Sequence, residues 1–107
     1  MIISWTLTIR EIYLNNGWIE KKIKLIECDI RDATSVTKTV EESRPDYIFH
    51  LAAQALVRKS YSDPVLTIET NALGTVNVLQ SLLEITSPAI AIIVTSDKVY
   101  ENVEWPW

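Results

Sequence analysis

The segment Asp46–Pro64, DYIFHLAAQALVRKSYSDP, decides the fold of this chain. Its first part, Tyr47–Ala52, is apolar apart from His50, which is typical of a strand covered on both faces of a parallel sheet. The apolar run stops at Ala-Ala-Gln and is followed by a basic, polar loop. Because ligands of open parallel sheets bind beyond the carboxyl ends of the strands, this change predicts a binding site there.

The residues before this segment predict a strand and a helix. Ile23–Ile30 has the pattern of a strand, and Asp32 is a good N-cap for a helix that follows it. That helix should end at Arg44, because proline disfavours helical geometry in the residue before it. The predicted apolar face of the helix consists of Ala33, Val36 and Val40, at spacings of three and four.

A longer helix is predicted from Asp63, as N-cap, to about Thr86, with Pro64 at its first position. Gly74 inside it indicates a close approach of helix and sheet, since glycine costs about 1 kcal/mol in a helix relative to alanine. Asn71, one turn earlier, is placed to tie the helix to a neighbouring loop or to a ligand. The predicted inward face consists of Ile68, Ala72, Val76, Leu79, Leu82 and Leu83.

The alternation of strand, helix, strand, helix and strand predicts an α/β fold with a parallel sheet and right-handed crossovers. The third strand lies within AIAIIVTSDKVY, residues 89–100, and ends at Thr95 and Ser96. The first 22 residues follow no single pattern. Alternation from Ile3 to Ile9 favours a half-buried strand, whereas Trp5, Ile9, Ile12 and Tyr13 also fit a short helical face. The sequence shows no linker, so we expect a single domain.

Composition narrows the function classes. The chain has 107 residues, 48% of them hydrophobic, which is enough for the core of one domain. Its net charge of -4 comes without a basic block, so no nucleic-acid partner is expected. The longest apolar run is too short to cross a bilayer, Cys28 is the single cysteine, and no secretory leader opens the chain, so we expect a cytoplasmic protein without a membrane partner.

Three predicted strand ends carry different chemistry. Asp29 could accept hydrogen bonds from an amino group or a ribose beside the apolar wall of Ile30, or it could simply be solvated. The small residues Ala52 and Ala53 leave room for a ligand but also suit tight packing. The most suggestive end offers a hydroxyl, a carboxyl and an amine, which suit a hydrogen bond to substrate, a general acid and a general base, or merely a solvent-facing turn: Ser96, Asp97 and Lys98.

Three stretches of the sequence carry a family resemblance. CDIRDA (28–33), PDYIFHLAAQALVRKSYSDPVLTIETNALGTVNVLQ (45–80) and IIVTSDKVYENVEWPW (92–107) resemble the extended short-chain dehydrogenase/reductase family, and within it the CDP-glucose 4,6-dehydratases. The resemblance implies a Rossmann-like doubly wound parallel sheet, so that residues 23–107 would be a partial NAD-binding domain. The family's first strand and glycine-rich loop have no counterpart in residues 1–22, since the chain's two glycines are Gly17 and Gly74.

The resemblance also implies roles for individual residues. Asp29 and Ile30 correspond to the site of the NAD adenine, and a helix asparagine supports the site. Ser96 corresponds to the hydroxyl that hydrogen-bonds the 4-oxygen of the sugar, and Asp97 to the acid that protonates the departing 6-hydroxyl. Lys98 stands where related dehydratases have a glutamate that removes the proton at carbon 5. The implied cofactor-binding set is Asp29, Ile30, Ala52, Ala53, Gln54, Asn71 and Thr95.

The implied reaction is redox-neutral and converts CDP-glucose to CDP-4-keto-6-deoxyglucose, a 4-keto-6-deoxy sugar nucleotide. Hydride would pass from carbon 4 to NAD, water would be eliminated across carbons 5 and 6, and hydride would return to carbon 6. The chain resembles an internal slice of such an enzyme and is expected to be inactive alone, because the family's Tyr-x-x-x-Lys pair would lie beyond Trp107. A homodimer would form through the helix 63–86, with Val65, Leu73 and Leu83 as a second apolar stripe.

Three other interpretations remain open at this point. The chain could be a related enzyme such as a sugar-nucleotide epimerase, or a non-catalytic fragment that self-associates. A phosphoacceptor receiver module would also be doubly wound, but it needs an acidic pair after its first strand, and SWTLTIREIY, residues 4–13, offers none.

Overall fold

The computed structural model describes residues 2–3, 26–96 and 101. It forms a small parallel sheet with helices packed on one face, which confirms a partial α/β, Rossmann-like fold. Within the described residues, no helix has the length and apolar character needed to cross a membrane. The elements in chain order are β1 (Ile2–Ile3), α1 (Ala33–Ser43), β2 (Tyr47–His50), α2 (Val57–Ser62), α3 (Pro64–Ile68), a π-turn (Glu69–Leu73), α4 (Gly74–Glu84) and β3 (Ile90–Ile93).

All strand pairs are parallel, and β2 lies between the other two strands. His50 is in register with Ile3 of β1 and with Ile93 of β3. The predicted strand from Ile3 to Ile9 meets β1 only at its first residue, and residues 4–9 lie outside the described part of the chain, as do all residues of the alternative helical face. Since neighbouring parallel strands end at the same edge, the residues after β2 and β3 emerge side by side.

The predicted strand Ile23–Ile30 is wrong over its described part. Residues 26–29 have no strand pairing, and Ile30 and Arg31 form a turn closed by a hydrogen bond from the Asp32 N–H to the Asp29 carbonyl at 3.0 Å. The described neighbour of β2 on this side is β1 instead. The turn directs Ile30 into the core between the helices, where its side chain is completely buried.

The limits of α1 agree with the prediction. The Asp32 carboxylate accepts hydrogen bonds from the N–H groups of Thr34 and Ser35, both at 3.1 Å, and so caps the helix. The helix ends when Arg44 adopts a left-handed conformation, with φ 43°, and donates its N–H to the Val40 carbonyl. Val36 and Val40 are buried as predicted. Ala33 is exposed, because its place at the helix start turns it toward solvent.

The long helix begins as predicted, with Pro64 in the first turn and the Asp63 carboxylate accepting from the Leu66 N–H at 3.1 Å. It is interrupted by the π-turn, in which the Gly74 N–H bonds to the Glu69 carbonyl five residues earlier. The predicted inward face is wrong, because Ile68, Ala72, Val76, Leu79 and Leu83 are exposed and Leu82 is only half-buried. The buried residues are Thr70, Gly74, Val78 and Ser81.

Small residues face inward because this helix lies very close to its neighbours. A Cβ on Gly74 would lie 2.6 Å from Cδ1 and 2.8 Å from Cγ1 of Ile30. The prediction of a close approach at Gly74 is therefore confirmed, although the neighbour is the Ile30 side chain and not the sheet. The core consists of Ile30, Val36, Val40, Ile48, Ala52 and Val78, with Cys28, Leu82 and Ile85 packed against it.

The prediction that Tyr47–Ala52 is covered on both faces is also wrong for the described structure. Burial alternates along β2, so that Ile48 and His50 are buried whereas Tyr47 and Phe49 are exposed. Both crossover helices lie on one face, as right-handed connections that step in the same direction across a sheet require. The described residues place no element on the opposite face.

Candidate functional site

The turn after residue 28 presents a carboxylate held by its own neighbour. Arg31 donates its backbone N–H to Asp29 Oδ1 at 3.0 Å, and its guanidinium forms a forked contact with the same carboxylate, the shorter distance being 2.6 Å between Nη2 and Oδ2. Hydrogen bonds from the Arg31 side chain, and then from its backbone N–H, lower the pKa of Asp29. Asp29 is therefore ionised at neutral pH and fixed in direction.

A shallow pocket of about 340 Å³ lies next to this carboxylate. Its volume is near the lower end of the range for small-molecule sites. Arg31 reaches across it to Glu69 of the π-turn, with 3.7 Å between Nη1 and Oε2. The pocket is lined by Asp29, Arg31, Asp32, Glu69 and Leu73.

The helix also fixes the backbone under this pocket. The Asn77 amide donates to the Ile30 carbonyl at 2.9 Å and is 3.2 Å from the Arg31 carbonyl. Ile30 itself has no exposed surface, because its side chain packs against Gly74. The Ile30 side chain therefore holds the turn onto the helix. Because this side chain is completely buried, it offers no surface for the predicted contact with a flat ring.

The loop after β2 is held by the same helix. Asn71 accepts from the Gln54 N–H at 2.7 Å and donates to the Gln54 carbonyl at 3.1 Å, so one amide clasps both backbone groups of one residue. The Gln54 side chain turns inward and bonds to both backbone groups of Leu56 and to the Thr67 hydroxyl. The prediction that Asn71 ties the helix to a neighbouring loop is confirmed.

These contacts bring two of the three predicted strand-end groups together. Glu69 and Asn71, two residues apart on the π-turn, contact the Asp29–Arg31 turn and the Gln54 loop respectively. Within that loop Ala52 is buried and Ala53 is exposed, so Ala53 presents a small surface at the rim.

The third group follows β3 at the same edge of the sheet, because β3 is parallel to β2 and bonded beyond its end through the Val94 N–H to the His50 carbonyl. Thr95 and Ser96 are exposed there. Asp97 and Lys98, the predicted acid and base, lie outside the described residues.

His50 lies beneath this rim and is 2% exposed. Its Nε2 is 2.9 Å from the Thr75 hydroxyl oxygen, and burial lowers the pKa of the imidazole. The ring is thus a core group with a polar contact at Nε2, and it does not reach the rim.

Several contributors to the site were not predicted from the sequence. Arg31 contacts Asp29 2 residues away, and Thr67 contacts Gln54 13 residues away. Glu69 reaches Arg31 across a much longer stretch of the chain, and Asn77 reaches a turn 46 or 47 residues away. The sequence did carry a signal for Asn77. It follows Gly74 by about one turn, and a polar residue near a closely packed helix glycine is well placed to bond to a neighbouring backbone. Arg31 and Glu69 carried no such signal, because exposed charges are common on any surface.

The polar groups around this pocket suit a nucleotide base better than a pyrophosphate. An ionised Asp29 could accept from an exocyclic amino group, and the flat Arg31 guanidinium could stack on a base. Three carboxylates line or flank the same pocket, and they would repel a pyrophosphate. The groups that line this pocket therefore favour a flat ring with an amino substituent over a phosphate group.

Comparison with known proteins agrees with this architecture. The family model described as GDP-mannose 4,6 dehydratase matches residues 5–105. The chain belongs to this family. This family is part of the extended short-chain dehydrogenases/reductases, which include sugar-nucleotide dehydratases and epimerases.

Curated relatives from this family match only over part of their own length. The CDP-glucose 4,6-dehydratase of Salmonella typhimurium is 42% identical over 79 residues, which cover 74% of this chain and 22% of that enzyme. The CDP-paratose 2-epimerase of Salmonella typhi is 30% identical over 92 residues, covering 84% of this chain and 27% of the relative. The chain thus spans about a quarter of the length of these family members.

Solved structures show the same fold. The UDP-glucose 4-epimerase of Thermus thermophilus, solved in complex with NAD, is 39% identical, with a TM-score of 0.57, over 60% of this chain and 21% of that one. Pen from Bacillus thuringiensis is 26% identical, with a TM-score of 0.63, over 78% of this chain and 26% of that one. These likenesses confirm the Rossmann-like fold.

Proposed function

We propose that this chain forms the cofactor rim of an NAD-dependent sugar-nucleotide 4,6-dehydratase that acts on CDP-glucose. The observation that carries the proposal is the π-turn, whose Glu69 and Asn71 draw the Asp29 turn and the Gln54 loop to one edge of the sheet. The 42% identity to a CDP-glucose 4,6-dehydratase supports the choice of reaction and substrate. The TSDK sequence after β3, Thr95 to Lys98, supports elimination over epimerisation.

In this proposal the rim residues have separate tasks. Asp29 accepts from the adenine amino group, and Ala53 lets the ribose and phosphates pass close to the backbone. Ala52, Gln54 and Asn71 hold that loop in place. NAD, when bound, would supply a hydride acceptor and donor, and Thr95 would be one of the residues that hold it.

The substrate residues follow β3. Ser96 donates a hydrogen bond to the 4-oxygen of the sugar, Asp97 protonates the departing 6-hydroxyl, and Lys98 as a neutral amine removes the proton at carbon 5. Oxidation at carbon 4 must come first, because a ketone there acidifies the neighbouring C–H. The cofactor would therefore stay bound throughout the reaction.

A segment exchange tests the proposed reaction. Replacing the matching 79-residue segment of the Salmonella CDP-glucose 4,6-dehydratase with that of this chain should give a chimera that forms a 4-keto-6-deoxy product from CDP-glucose. In the chimera, Asp97→Asn should lower kcat by about 100-fold to 10,000-fold, the usual range for a lost general acid. A folded chimera with no dehydratase activity, or with undiminished activity after Asp97→Asn, would contradict the proposal.

An epimerase is the second candidate, favoured by the likeness to the CDP-paratose 2-epimerase and the UDP-glucose 4-epimerase. An epimerase needs no acid to expel a hydroxyl group. The same segment placed in the Thermus epimerase should be inactive on UDP-glucose if the dehydratase proposal is right. Epimerisation by that chimera, combined with an inactive dehydratase chimera, would favour this second candidate.

The isolated chain should bind NAD weakly at best. The carboxylates of the pocket would not attract a pyrophosphate, and the chain has no cluster of glycines to supply backbone N–H groups for it. A titration followed by amide shifts should move Arg31 and Ala53 only at high NAD concentration, and Asp29→Asn should abolish the change at Arg31. Micromolar affinity by calorimetry would contradict this expectation.

The proposed homodimer would form through the exposed side of α3 and α4. The three residues of the predicted second apolar stripe, Val65, Leu73 and Leu83, are all exposed, as are Ile68, Val76 and Leu79. Light scattering should show a dimer that Leu79→Lys dissociates, whereas Lys38→Ala on α1 should leave it intact. A monomer at high concentration would count against this interface.

A further inference from the structure

The hydrogen bonds of Thr75 determine the protonation of a buried histidine. The Thr75 hydroxyl donates to the Asn71 carbonyl at 2.8 Å, and its oxygen is 2.9 Å from His50 Nε2. A hydroxyl has one proton, and a carbonyl oxygen can only accept. With the hydroxyl proton directed at the Asn71 carbonyl, the His50 ring is the donor of the second contact, and this arrangement assigns the proton to Nε2.

The other ring nitrogen then has a lone pair without a donor. His50 Nδ1 is buried and has no hydrogen-bond partner among the described residues. Its register neighbours are Ile3 and Ile93, and the residue it contacts on the helix is Thr75, so no charged group of the described chain faces the ring. A proton on Nδ1 would create a buried charge and an unpaired donor, which is costly, so the ring stays neutral.

The same bonds form a closed circuit around one short segment. His50 bonds to Thr75, Thr75 bonds to the Asn71 backbone, and the Asn71 side chain clasps the backbone of Gln54. His50 and Gln54 are only four residues apart, so the Leu51–Ala53 segment is fastened to the helix at both ends. The π-turn, a feature often found at functional sites, carries one of the two anchors.

We propose that Thr75 and His50 are positioning residues, which act through Asn71 to fix the Leu51–Ala53 segment at the rim. The consequence for cofactor binding rests on the proposed function, in which this segment passes the ribose and phosphates. The circuit itself depends only on the hydrogen bonds described above. Asn71 bonds directly to the loop. Thr75 acts on the loop through Asn71, and His50 acts on it through Thr75 and Asn71.

A first experiment reads the proton directly. The chain has one histidine, so a two-bond ¹H–¹⁵N correlation spectrum of histidine-labelled protein needs no assignment. At pH 7.5 the expected result is a neutral ring with the proton on Nε2 and a bare Nδ1. A proton on Nδ1, or an averaged mixture of the two forms, would overturn the circuit.

A second experiment tests the coupling by hydrogen exchange of the Gln54 amide, which donates to Asn71. Thr75→Val keeps the shape but removes the hydroxyl, and should speed that exchange roughly fivefold to tenfold, the size expected for loss of one net hydrogen bond. Thr75→Ser should restore the native rate, and Thr37→Val on α1 should leave it unchanged. A folded Thr75→Val with native exchange at Gln54, or Thr75→Ser as fast as Thr75→Val, would overturn the proposal.

If Thr75→Val does not fold, a pair of variants at the other end of the circuit gives the same comparison. His50→Gln keeps an N–H donor near the Thr75 hydroxyl and should retain slow exchange at Gln54, whereas His50→Leu should lose it. Equal exchange in the two variants would overturn the positioning role. NAD binding by the dehydratase chimera tests the proposed function separately. A folded chimera that binds no NAD, together with the predicted exchange pattern in the native chain, overturns only the cofactor assignment, whereas NAD binding by the chimera without that exchange pattern overturns only the positioning role.

Discussion

The two faces of the sheet differ sharply in burial although the same two strands supply both. On the face under α1 and α4, Ile48 is 0% exposed and His50 is 2% exposed, whereas on the opposite face Tyr47 is 53% and Ile92 is 41% exposed. Residue type does not explain the contrast, because the exposed face is as apolar as the covered one. The right-handed crossovers decide it, since they place both helices on one side.

This difference shows that an apolar strand pattern indicates that both faces of a strand can be buried. It does not indicate which faces other elements of the protein cover. An apolar run such as Tyr47–Ala52 fits a sheet covered twice. In the described residues only one cover is present, which leaves an exposed apolar surface of Tyr47, Phe49, Leu51, Ile90, Ile92 and Val94. A surface of this kind marks a contact region or an aggregation liability.

Two matched isoleucines should show the largest difference between the faces. Ile48→Ala should lower the free energy of unfolding by about 2–5 kcal/mol, because it leaves a cavity in a closed core. Ile92→Ala, the same change on the exposed face, should cost less than about 1 kcal/mol. Urea denaturation of both variants measures the difference. Equal losses would mean that the second face is covered in solution.

Gly74 should show the next largest effect, on the covered side. Gly74→Ala improves helix propensity by about 1 kcal/mol, but its Cβ would overlap the buried Ile30, and overpacking of this kind costs about 1–3 kcal/mol. We expect net destabilisation in thermal unfolding. Ile30→Val removes the nearest atom, Cδ1. The further loss in free energy of unfolding when Ile30→Val is added to Gly74→Ala should therefore be smaller than the loss that Ile30→Val causes alone. A simple sum of the two losses would contradict the close approach.

Because His50 is buried on the covered face, the free energy of unfolding should depend on pH. Burial lowers the pKa of His50, so the unfolded chain takes up the proton at a higher pH than the folded chain does. The free energy of unfolding should therefore fall as pH drops below about 6.5, the ordinary value for histidine, until the folded pKa is passed. His50→Gln should lose this dependence. Asp29 and Asp32 have lowered pKa values, so their stabilising contribution is lost only at more acidic pH, below 3.8.

The smallest change in stability should come from making the exposed face polar. Phe49→Thr with Ile92→Thr should change the free energy of unfolding by less than about 1 kcal/mol, since both sites are partly solvated and threonine favours strands. The double variant should bind less of an apolar dye such as ANS and remain soluble at higher concentration. Unchanged dye binding would show that this surface is already covered.

Local signals in the sequence predicted the ends of the elements well. The caps at Asp32 and Asp63 and the end of α1 at Arg44 depend on residues within three or four positions, and all three are confirmed. Parallel pairing of β2 and β3 followed from the helix between them. A polar residue on an apolar helix needs a partner, and of the two partners predicted for Asn71, a neighbouring loop or a ligand, the structure shows the loop.

Signals that depend on packing were misread. The inward face of α4 was assigned to its largest apolar residues, but close contact with Ile30 selects small ones, and the hydroxyl of Ser81 is satisfied locally by the Val78 carbonyl at 2.7 Å. The π-turn also shifts the face by one residue, and no local pattern announces it. The Arg31 contacts to Asp29 and Glu69 could not be read from the sequence either, because they depend on the turn that replaced a predicted strand.

The extra residue in the π-turn makes this turn a point at which the helix can change length. The wide turn holds one residue more than a regular α-turn, so deleting one residue between Glu69 and Leu73 would return it to a continuous α-helix in which Gly74 and Thr75 keep their facing. A deletion within α4 has no wide turn to absorb it and would rotate the residues that follow, such as Val78, by about 100° away from the core. A deletion in the π-turn should therefore be tolerated better than a deletion in α4.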